Sequence, residues 1–196
     1  MVAPQREGLK TIRVLAALAL AGLFAACSRP PDQGTKPARA AAPGPAPTAL
    51  REGWLKPRPI GMPFAGQPWI THLALVDLDR DGRLDVVVCE GRLNQVSWLR
   101  QTGKLEFTER AIGQPVPAPV HVEAIDFDGD GDLDLLVASM GVVFPTNQKI
   151  GAILWLEQTA PGVFVNHVIA EQIERVTDVR AADLDGDGDL DLAVAQ

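Results

Sequence analysis

One aspartate-rich loop occurs three times in this chain, and the repetition constrains the fold more than any other feature. Each copy follows the pattern D-x-D-x-D-G-x-L-D, and the copies begin at Asp77, Asp126 and Asp183. A glycine at position 6 allows a sharp turn, so the carboxylates at positions 1, 3, 5 and 9 converge on one point. Such hard oxygen ligands suit Ca²⁺, and three copies predict a repeat protein with a metal site in each repeat.

Other uses of an acidic loop fit the spacing less well. An EF-hand would close with a glutamate at position 12 and lie between helices, whereas position 12 here is Val88, Val137 or Val194. A Zn²⁺ site would need His or Cys, and none lies within the loops. The plain alternative is an exposed turn, because Asp and Gly both favour turns. Identical acidic positions in three copies argue against that alternative.

The segments around the loops predict short β-strands. A β-type run precedes each loop, and an apolar run follows it. A third element carries Trp98 or Trp155, expected to pack within the sheet, and a fourth begins at Phe107 or Phe164. Four short strands with a period of about 50 residues are typical of a β-propeller blade. We therefore predict an all-β fold of four-stranded antiparallel blades, with about two and a half blades present. The predicted repeats are about 69–113, about 118–170, and a truncated third at about 175–196.

The first 27 residues resemble the signal peptide of a bacterial lipoprotein. Basic residues precede an apolar run, residues 14–26, which is shorter than the roughly 20 residues of a membrane span. The run ends in Leu-Phe-Ala-Ala-Cys, which is similar to a lipobox except for its Phe. The resemblance implies that Cys27 carries a lipid and that Ser28 directs the protein to the outer membrane. Secretion through an ordinary signal peptide is the alternative.

The remaining chain divides into a linker and a folded region. Residues 28–63 are rich in Pro and Ala and predict a disordered linker, and residues 64–196 hold the repeats. The net charge of −7 is concentrated, because the loops hold four, five and five of the 25 acidic residues. Bound calcium would nearly cancel this charge. A basic partner is therefore the weaker explanation, and the acidic balance argues against nucleic acid.

The loops resemble the FG-GAP/VCBS-type repeats of bacterial surface proteins and integrin α-subunit propellers, from Trp69 to Gln196. The Phe-Gly and Gly-Ala-Pro signatures are not evident, so the VCBS-like branch is the closer match. The resemblance implies a propeller that usually has seven blades, so we expect a fragment of a longer protein or a ring completed by further copies. It also implies carboxylate ligands at positions 1, 3, 5 and 9 and a carbonyl ligand at position 7. We expect the leucine at position 8 to anchor each loop in the core. The expected ligand residues are Asp77, Asp79, Asp81, Arg83 and Asp85; Asp126, Asp128, Asp130, Asp132 and Asp134; and Asp183, Asp185, Asp187, Asp189 and Asp191.

Function follows from these expectations. Four carboxylates leave little room for a substrate on the metal, so we expect structural calcium and no catalysis. The predicted protein is a lipid-anchored, extracytoplasmic module that binds a protein or a glycan. The alternative is a propeller that positions substrate in a larger secreted enzyme or cytochrome-like protein.

Two weaker features accompany this reading. Residues 141–150 form an insertion absent from repeat 1, and loops on propeller faces often carry specificity. His72, His121 and Asp178 each lie five residues before a loop and would form a polar ring along the inner strands. That ring is either a second metal or anion site or a set of ordinary strand-start residues, with the second reading favoured.

Overall fold

The computed structural model describes residues 14–16, 58–63 and 66–196, and only the backbone of 14–16. Within these residues the chain forms eleven strands and no helix. The strands are β1 (Val14–Ala16), β2 (Ile70–Val76), β3 (Asp85–Glu90), β4 (Gln95–Gly103), β5 (Glu106–Ile112), β6 (Pro119–Ile125), β7 (Asp134–Ser139), β8 (Gly151–Ala160), β9 (Val163–Ile173), β10 (Asp178–Ala182) and β11 (Asp191–Ala195). None of the described segments is a helix long and apolar enough to cross a membrane.

The strands form three sheets that match the predicted repeats. Blade 1 has the order β2-β3-β4-β5 and blade 2 the order β6-β7-β8-β9, and all neighbours in both are antiparallel. Blade 3 contains the antiparallel pair β10 and β11. The sheets do not close on one another. The predicted all-β class is confirmed, and the architecture is that of incomplete propeller blades.

The third sheet also contains β1, which lies parallel to β11 with Val14 opposite Leu192 and Ala16 opposite Val194. In blades 1 and 2 this place beside the second strand belongs to an antiparallel third strand. The open backbone edge of β11 offers unpaired N–H and C=O groups, which a short extended segment can satisfy. The rest of the predicted signal segment, including Cys27, and most of the predicted linker lie outside the described residues.

Successive blades pack face to face through apolar side chains. The first strands, β2, β6 and β10, lie where neighbouring blades come closest. Alternation along each strand sends one set of side chains toward the preceding blade and the other toward the following blade. Between blades 1 and 2 the core includes Val87, Cys89 and Trp98 on one side and Leu135 and Leu156 on the other.

A second core lies between blades 2 and 3. It joins Leu136 and Ile153 of blade 2 to Val179, Leu192 and Val194 of blade 3. The outer face of blade 1 also carries apolar side chains, but no described residue packs over them. The side chains of Leu73 and Leu75 in blade 1 are 54% and 63% exposed. Val122 in blade 2, which is equivalent to Leu73, is buried against blade 1.

The leucine at loop position 8 does not anchor all three loops as predicted. The side chain of Leu84 is 59% exposed, whereas Leu133 packs partly against the core. In loop 1 the anchor is position 2, where Leu78 is completely buried. Position 2 faces the following blade. Leu184, at this position in blade 3, is 55% exposed because no following blade covers it among the described residues. The expectation was wrong for loop 1 because spacing alone did not identify which leucine faces the neighbouring blade.

Candidate metal centre

The three acidic loops connect the first and second strands of their blades and lie at equivalent ends of the sheets. Loop 1 (residues 77–85) joins β2 to β3, loop 2 (126–134) joins β6 to β7, and loop 3 (183–191) joins β10 to β11. The aspartate at position 9 is the first residue of the following strand in each case. The fold therefore holds this residue rigidly, whereas positions 1 to 8 form a turn.

Left-handed backbone conformations shape each turn. The position-6 glycines have φ angles of 84° at Gly82, 99° at Gly131 and 90° at Gly188. Position 4 is left-handed too, at 57° in Arg80 and 77° in Gly129. A residue with a Cβ is disfavoured in this region, so the glycines make these turns accessible. The repeated glycine predicted the turn at position 6, but the sequence pattern did not predict the left-handed conformation at position 4.

Carboxylates at the start of each loop accept hydrogen bonds from its own backbone. In loop 1, Asp77 Oδ1 accepts from the Asp81 amide at 2.9 Å and Oδ2 from the Gly82 amide at 2.8 Å. In loop 3, Asp183 accepts from the Gly186 and Gly188 amides at 2.7 and 3.0 Å. These bonds bend the turn inward. They fix the position-1 carboxylate over the turn. The position-5 carboxylate joins those of positions 1 and 3 in loop 2, whereas in loops 1 and 3 the position-9 carboxylate takes that place.

The position-9 aspartates have a second, structural role. Asp134 is 1% exposed, and its Oδ2 accepts from the Phe127 amide at 3.2 Å while its Oδ1 accepts from the Gln158 amide at 2.8 Å. Asp85 makes the same two bonds, to the amides of Leu78 and Gln101. One carboxylate thus ties the start of the loop to the third strand of the blade. Burial raises the pKa of Asp134, while the hydrogen bonds from the backbone amides act in the opposite direction.

Carboxylate oxygens gather in all three loops. In each loop, three aspartates bring one oxygen apiece within 4.8 Å of one another. Two ligands of one Ca²⁺ ion can be separated by at most about 5 Å, since each Ca–O distance is about 2.3–2.6 Å. The groups are Asp77, Asp79 and Asp85; Asp126, Asp128 and Asp130; and Asp183, Asp185 and Asp191. The donor set consists of hard oxygens only, and Asp79 Oδ1 is buried without a hydrogen-bond partner among the described residues. These features fit calcium.

Loop 1 differs from the other two because arginines pair with its aspartates. Arg100, on β4, donates to Asp79 and places Nη2 3.4 Å from Asp81 Oδ2, and Arg83 also donates to Asp81. The hydrogen bond to Asp79 raises the pKa of Arg100. The residue of β8 equivalent to Arg100 is Glu157, which pairs with His167 at 2.6 Å. The two arginines therefore neutralise part of the negative charge of loop 1. The aspartates of loop 2 have no such arginine pairing among the described residues.

The predicted polar ring is a row of contacts between the first strands of the blades. The His72 and His121 rings lie 4.3 Å apart between centroids, and the Val122 amide donates to His72 Nδ1 at 3.2 Å. His121 Nε2 lies 3.2 Å from Asp178 Oδ1, which also pairs with Arg180 Nε at 3.4 Å. Burial lowers the pKa of His121 to about 4, although Asp178 acts to raise it. His121 is therefore neutral at pH 7. The row connects blades 1 and 2 through the Val122–His72 hydrogen bond and the ring contact, and blades 2 and 3 through the close approach of His121 to Asp178.

The tryptophans of the third strands are packing residues, as predicted. Trp98 is 2% exposed in the core between blades 1 and 2, and the Arg110 guanidinium lies 4.6 Å from its ring centroid. Trp155 lies between Phe127 and His167, at centroid distances of 5.3 and 4.7 Å. The Trp98 ring is buried, and the partly buried Trp155 ring is in contact with aromatic side chains from loop 2 and β9.

Comparison with known proteins finds one family that resembles part of the chain. Residues 77–137 match the model of a protein family described as FG-GAP-like repeat. This stretch is similar to FG-GAP-like repeats. The matched residues begin at the first aspartate of loop 1 and end in β7, so they include loops 1 and 2. No curated protein and no solved structure matched the chain.

Sequence reasoning identified the three acidic loops and missed two residues that shape them. The backbone amides of Gln101 and Gln158, on the third strands, hold the position-9 carboxylates. In the sequence, these glutamines are marked only by lying at the same position after a Trp-Leu pair. The pairing of Arg100 with loop 1 was also missed, because a residue 15 positions beyond the loop reaches it only through the β3–β4 register.

Proposed function

We propose that this chain is a calcium-stabilised β-propeller module of the bacterial cell envelope that binds a protein or glycan and does not catalyse a reaction. The observation that carries the calcium assignment is the gathering of three carboxylate oxygens within 4.8 Å in each of the three acidic loops. The repeat match and the blade architecture support the propeller assignment. The position of the loops between paired strands supports a structural use of the ion.

Calcium would act by neutralising carboxylates that otherwise repel one another. In loop 2, Asp126, Asp128 and Asp130 would hold the ion from the turn, and Asp134 would keep the turn attached to β8. Bound calcium supplies positive charge at the centre of the turn. A ligand that binds only the folded state stabilises it by RT ln(1 + [L]/Kd), about 2.7 kcal/mol for one site at a concentration 100 times the Kd. The ion would then fix the β6–β7 connection.

Thermal unfolding of the full chain tests the calcium assignment. The melting temperature is measured in EDTA, in increasing Ca²⁺ and in Mg²⁺. We expect a rise with Ca²⁺ that Mg²⁺ does not reproduce, because Mg²⁺ demands stricter octahedral geometry and retains its waters. Asp130→Ala should reduce the rise. Glu171→Ala is the matched control, since it removes the same charge from an exposed position on β9 outside the loops. An equal response of the two variants would contradict the assignment.

The envelope location is a separate part of the proposal. The lipobox-like sequence ending at Cys27 supports a lipid anchor at the N-terminus. Expression of the full chain and of Cys27→Ser in a Gram-negative host, followed by membrane fractionation and labelling with a palmitate analogue, tests it. Label and membrane association should both be lost in the variant. A wild-type chain that is unlabelled and released to the periplasm would indicate secretion without an anchor.

A further inference from the structure

A cleft opens between blades 1 and 2 at the end of the sheets opposite to the acidic loops. Its volume is about 520 Å³, within the range of about 300–1,000 Å³ that small-molecule sites occupy. The residues that matter for its chemistry are Trp69, Arg92, Asn94, Val142 and Phe144. They come from the residue before β2, from the β3–β4 turn and from the insertion predicted to carry specificity.

One wall of the cleft is organised by a buried carboxylate. Glu90 is 2% exposed, and it accepts hydrogen bonds from the Trp69 amide at 2.6 Å and from the Leu93 amide. The Gly91 amide donates to the Trp69 carbonyl at 3.0 Å. These bonds fix the tryptophan beside the β3–β4 turn. Glu90 uses its oxygens within the wall and does not face a ligand.

Glycine allows the two walls to approach each other. A Cβ on Gly91 would lie 3.0 Å from Thr71 Cγ2 and 3.2 Å from Val143 Cγ2. Both distances are shorter than ordinary van der Waals contact between carbon atoms. A side chain at position 91 would therefore require Thr71 and Val143 to shift by a few tenths of an ångström. Glycine lets the walls approach this closely without that shift.

The other wall is the insertion, which is held from beneath. The Met140 amide donates to the Ala118 carbonyl at 3.1 Å. Arg175 Nη2 lies 3.4 and 3.5 Å from the carbonyls of Val142 and Val143. These contacts present Phe144 to Trp69 with ring centroids 5.6 Å apart and an angle of 71° between ring planes. Two aromatic rings thus meet at a corner of the cleft.

The polar groups of the cleft favour an anionic ligand. Of the residues that line it in the described part of the chain, only Arg92 carries a charge. Its side chain is exposed and makes one hydrogen bond, at 3.4 Å, to the Gln67 carbonyl. Asn94 accepts from the Ala118 amide through Oδ1 at 2.8 Å, which leaves its NH₂ group as a donor. A guanidinium pairs with a carboxylate through two parallel hydrogen bonds.

We propose that this cleft binds an acidic saccharide, with a uronic acid carboxylate on Arg92 and the apolar face of a sugar ring on Trp69 and Phe144. A saccharide suits the site because one ring presents C–H groups to an aromatic surface and hydroxyls to the Asn94 amide. The side chain of Phe144 is 67% exposed, so a ligand can cover it without rearranging the core. The proposal rests on the binding role proposed above and names the ligand class for it.

Binding of galacturonic acid oligosaccharides to the full chain, purified in detergent with saturating Ca²⁺, tests the proposal by calorimetry. Neutral galactose oligosaccharides of the same length and a short polyglutamate peptide serve as competing probes. We expect the acidic saccharide to bind about tenfold more tightly than the neutral one, because one charge-assisted interaction is added. Arg92→Ala should abolish that preference, and Phe144→Ala should weaken both saccharides.

The control variants are Lys104→Ala and Val163→Ala, which remove an exposed charge and an exposed apolar side chain at the opposite end of the sheets. Both should bind like the wild type. Equal affinity for acidic and neutral saccharides, or no effect of Arg92→Ala, would overturn the proposal. Polyglutamate binding as tight as the acidic saccharide would also overturn it and would indicate an acidic peptide ligand. Calcium-dependent melting is scored in the same samples, so failure of the calcium assignment is distinguished from failure at the cleft.

Discussion

Replacing Asp134 with alanine should destabilise the protein strongly even without calcium. This carboxylate is 1% exposed and accepts hydrogen bonds from two backbone amides, those of Phe127 and Gln158. A buried donor left without a partner costs about 1–3 kcal/mol, so the two amides together give a loss of roughly 2–6 kcal/mol. Relief of repulsion among the loop carboxylates offsets part of this loss. The remainder is a large share of a typical stability of about 5–15 kcal/mol.

Two matched variants, Asp191→Ala and Asp130→Ala, should lose progressively less stability than Asp134→Ala. Asp191 occupies the same loop position in blade 3, but within the described chain its carboxylate accepts from one backbone amide, that of Leu184, at 3.1 Å. Asp191→Ala should therefore lose about 1–3 kcal/mol. Asp130→Ala removes an exposed carboxylate whose partner, the Asp132 amide, can be hydrated instead. Its effect in EDTA should stay within about 0.5 kcal/mol.

Urea unfolding in EDTA, followed by tryptophan fluorescence, measures these differences because Trp98 is buried between blades 1 and 2. The m value should stay constant, so that the midpoint reports stability. If Asp134→Ala unfolds at the same midpoint as Asp130→Ala, the position-9 carboxylate is not the structural tie described here. Its hydrogen bonds to the backbone would then contribute nothing measurable.

Three further predictions concern loop 1, the interblade row and packing. We expect loop 1 to be the weakest calcium site because its aspartates already pair with arginines. Arg100→Ala should tighten calcium binding there, so that calorimetry shows an affinity closer to those of loops 2 and 3; unchanged affinities would contradict the arginine pairing. Because burial lowers the pKa of His121 to about 4 in the folded protein, against about 6.5 unfolded, the unfolded state binds more protons between these values. Stability should therefore be complete above pH 6.5 and fall as the pH drops toward 4, and His121→Gln should reduce that slope in urea unfolding; an unaltered slope would contradict the assignment. Gly151→Ala places a Cβ 2.0 Å from the Glu174 carbonyl oxygen and should lower stability by about 1–3 kcal/mol. Gly66→Ala, whose Cβ meets no atom of the described residues within 4 Å, should be neutral by the same assay.

The blades were predictable because their signals are local and repeated. The β-type run before each loop and the apolar run after it predicted β2, β3, β6, β7, β10 and β11, and the Trp-Leu pairs predicted β4 and β8. Four strands at a period of about 50 residues then gave the architecture. Repetition made each assignment stronger, because an ambiguous run in one repeat could be checked against its equivalents.

The features that sequence did not reveal depend on register and on contacts between blades. Arg100 reaches loop 1 because β4 pairs with β3, and no local pattern encodes that distance. The burial of Leu78 in place of Leu84 depends on which side of the turn faces blade 2. The insertion was identified from its length, but its contact with Trp69 required the packing of blade 2 on blade 1. Pairing of β1 with β11 had no sequence signal at all.

The number of calcium ions bound per folded chain tests the central claim most directly. Native mass spectrometry of the full chain, released from detergent and equilibrated with buffered free Ca²⁺, counts these ions. The account predicts three at saturation. It also predicts that the site lost first as calcium is lowered is loop 1, where Arg83 and Arg100 already pair with the aspartates. A folded chain that retains no calcium at millimolar concentrations would contradict the account and would reduce the three loops to acidic turns.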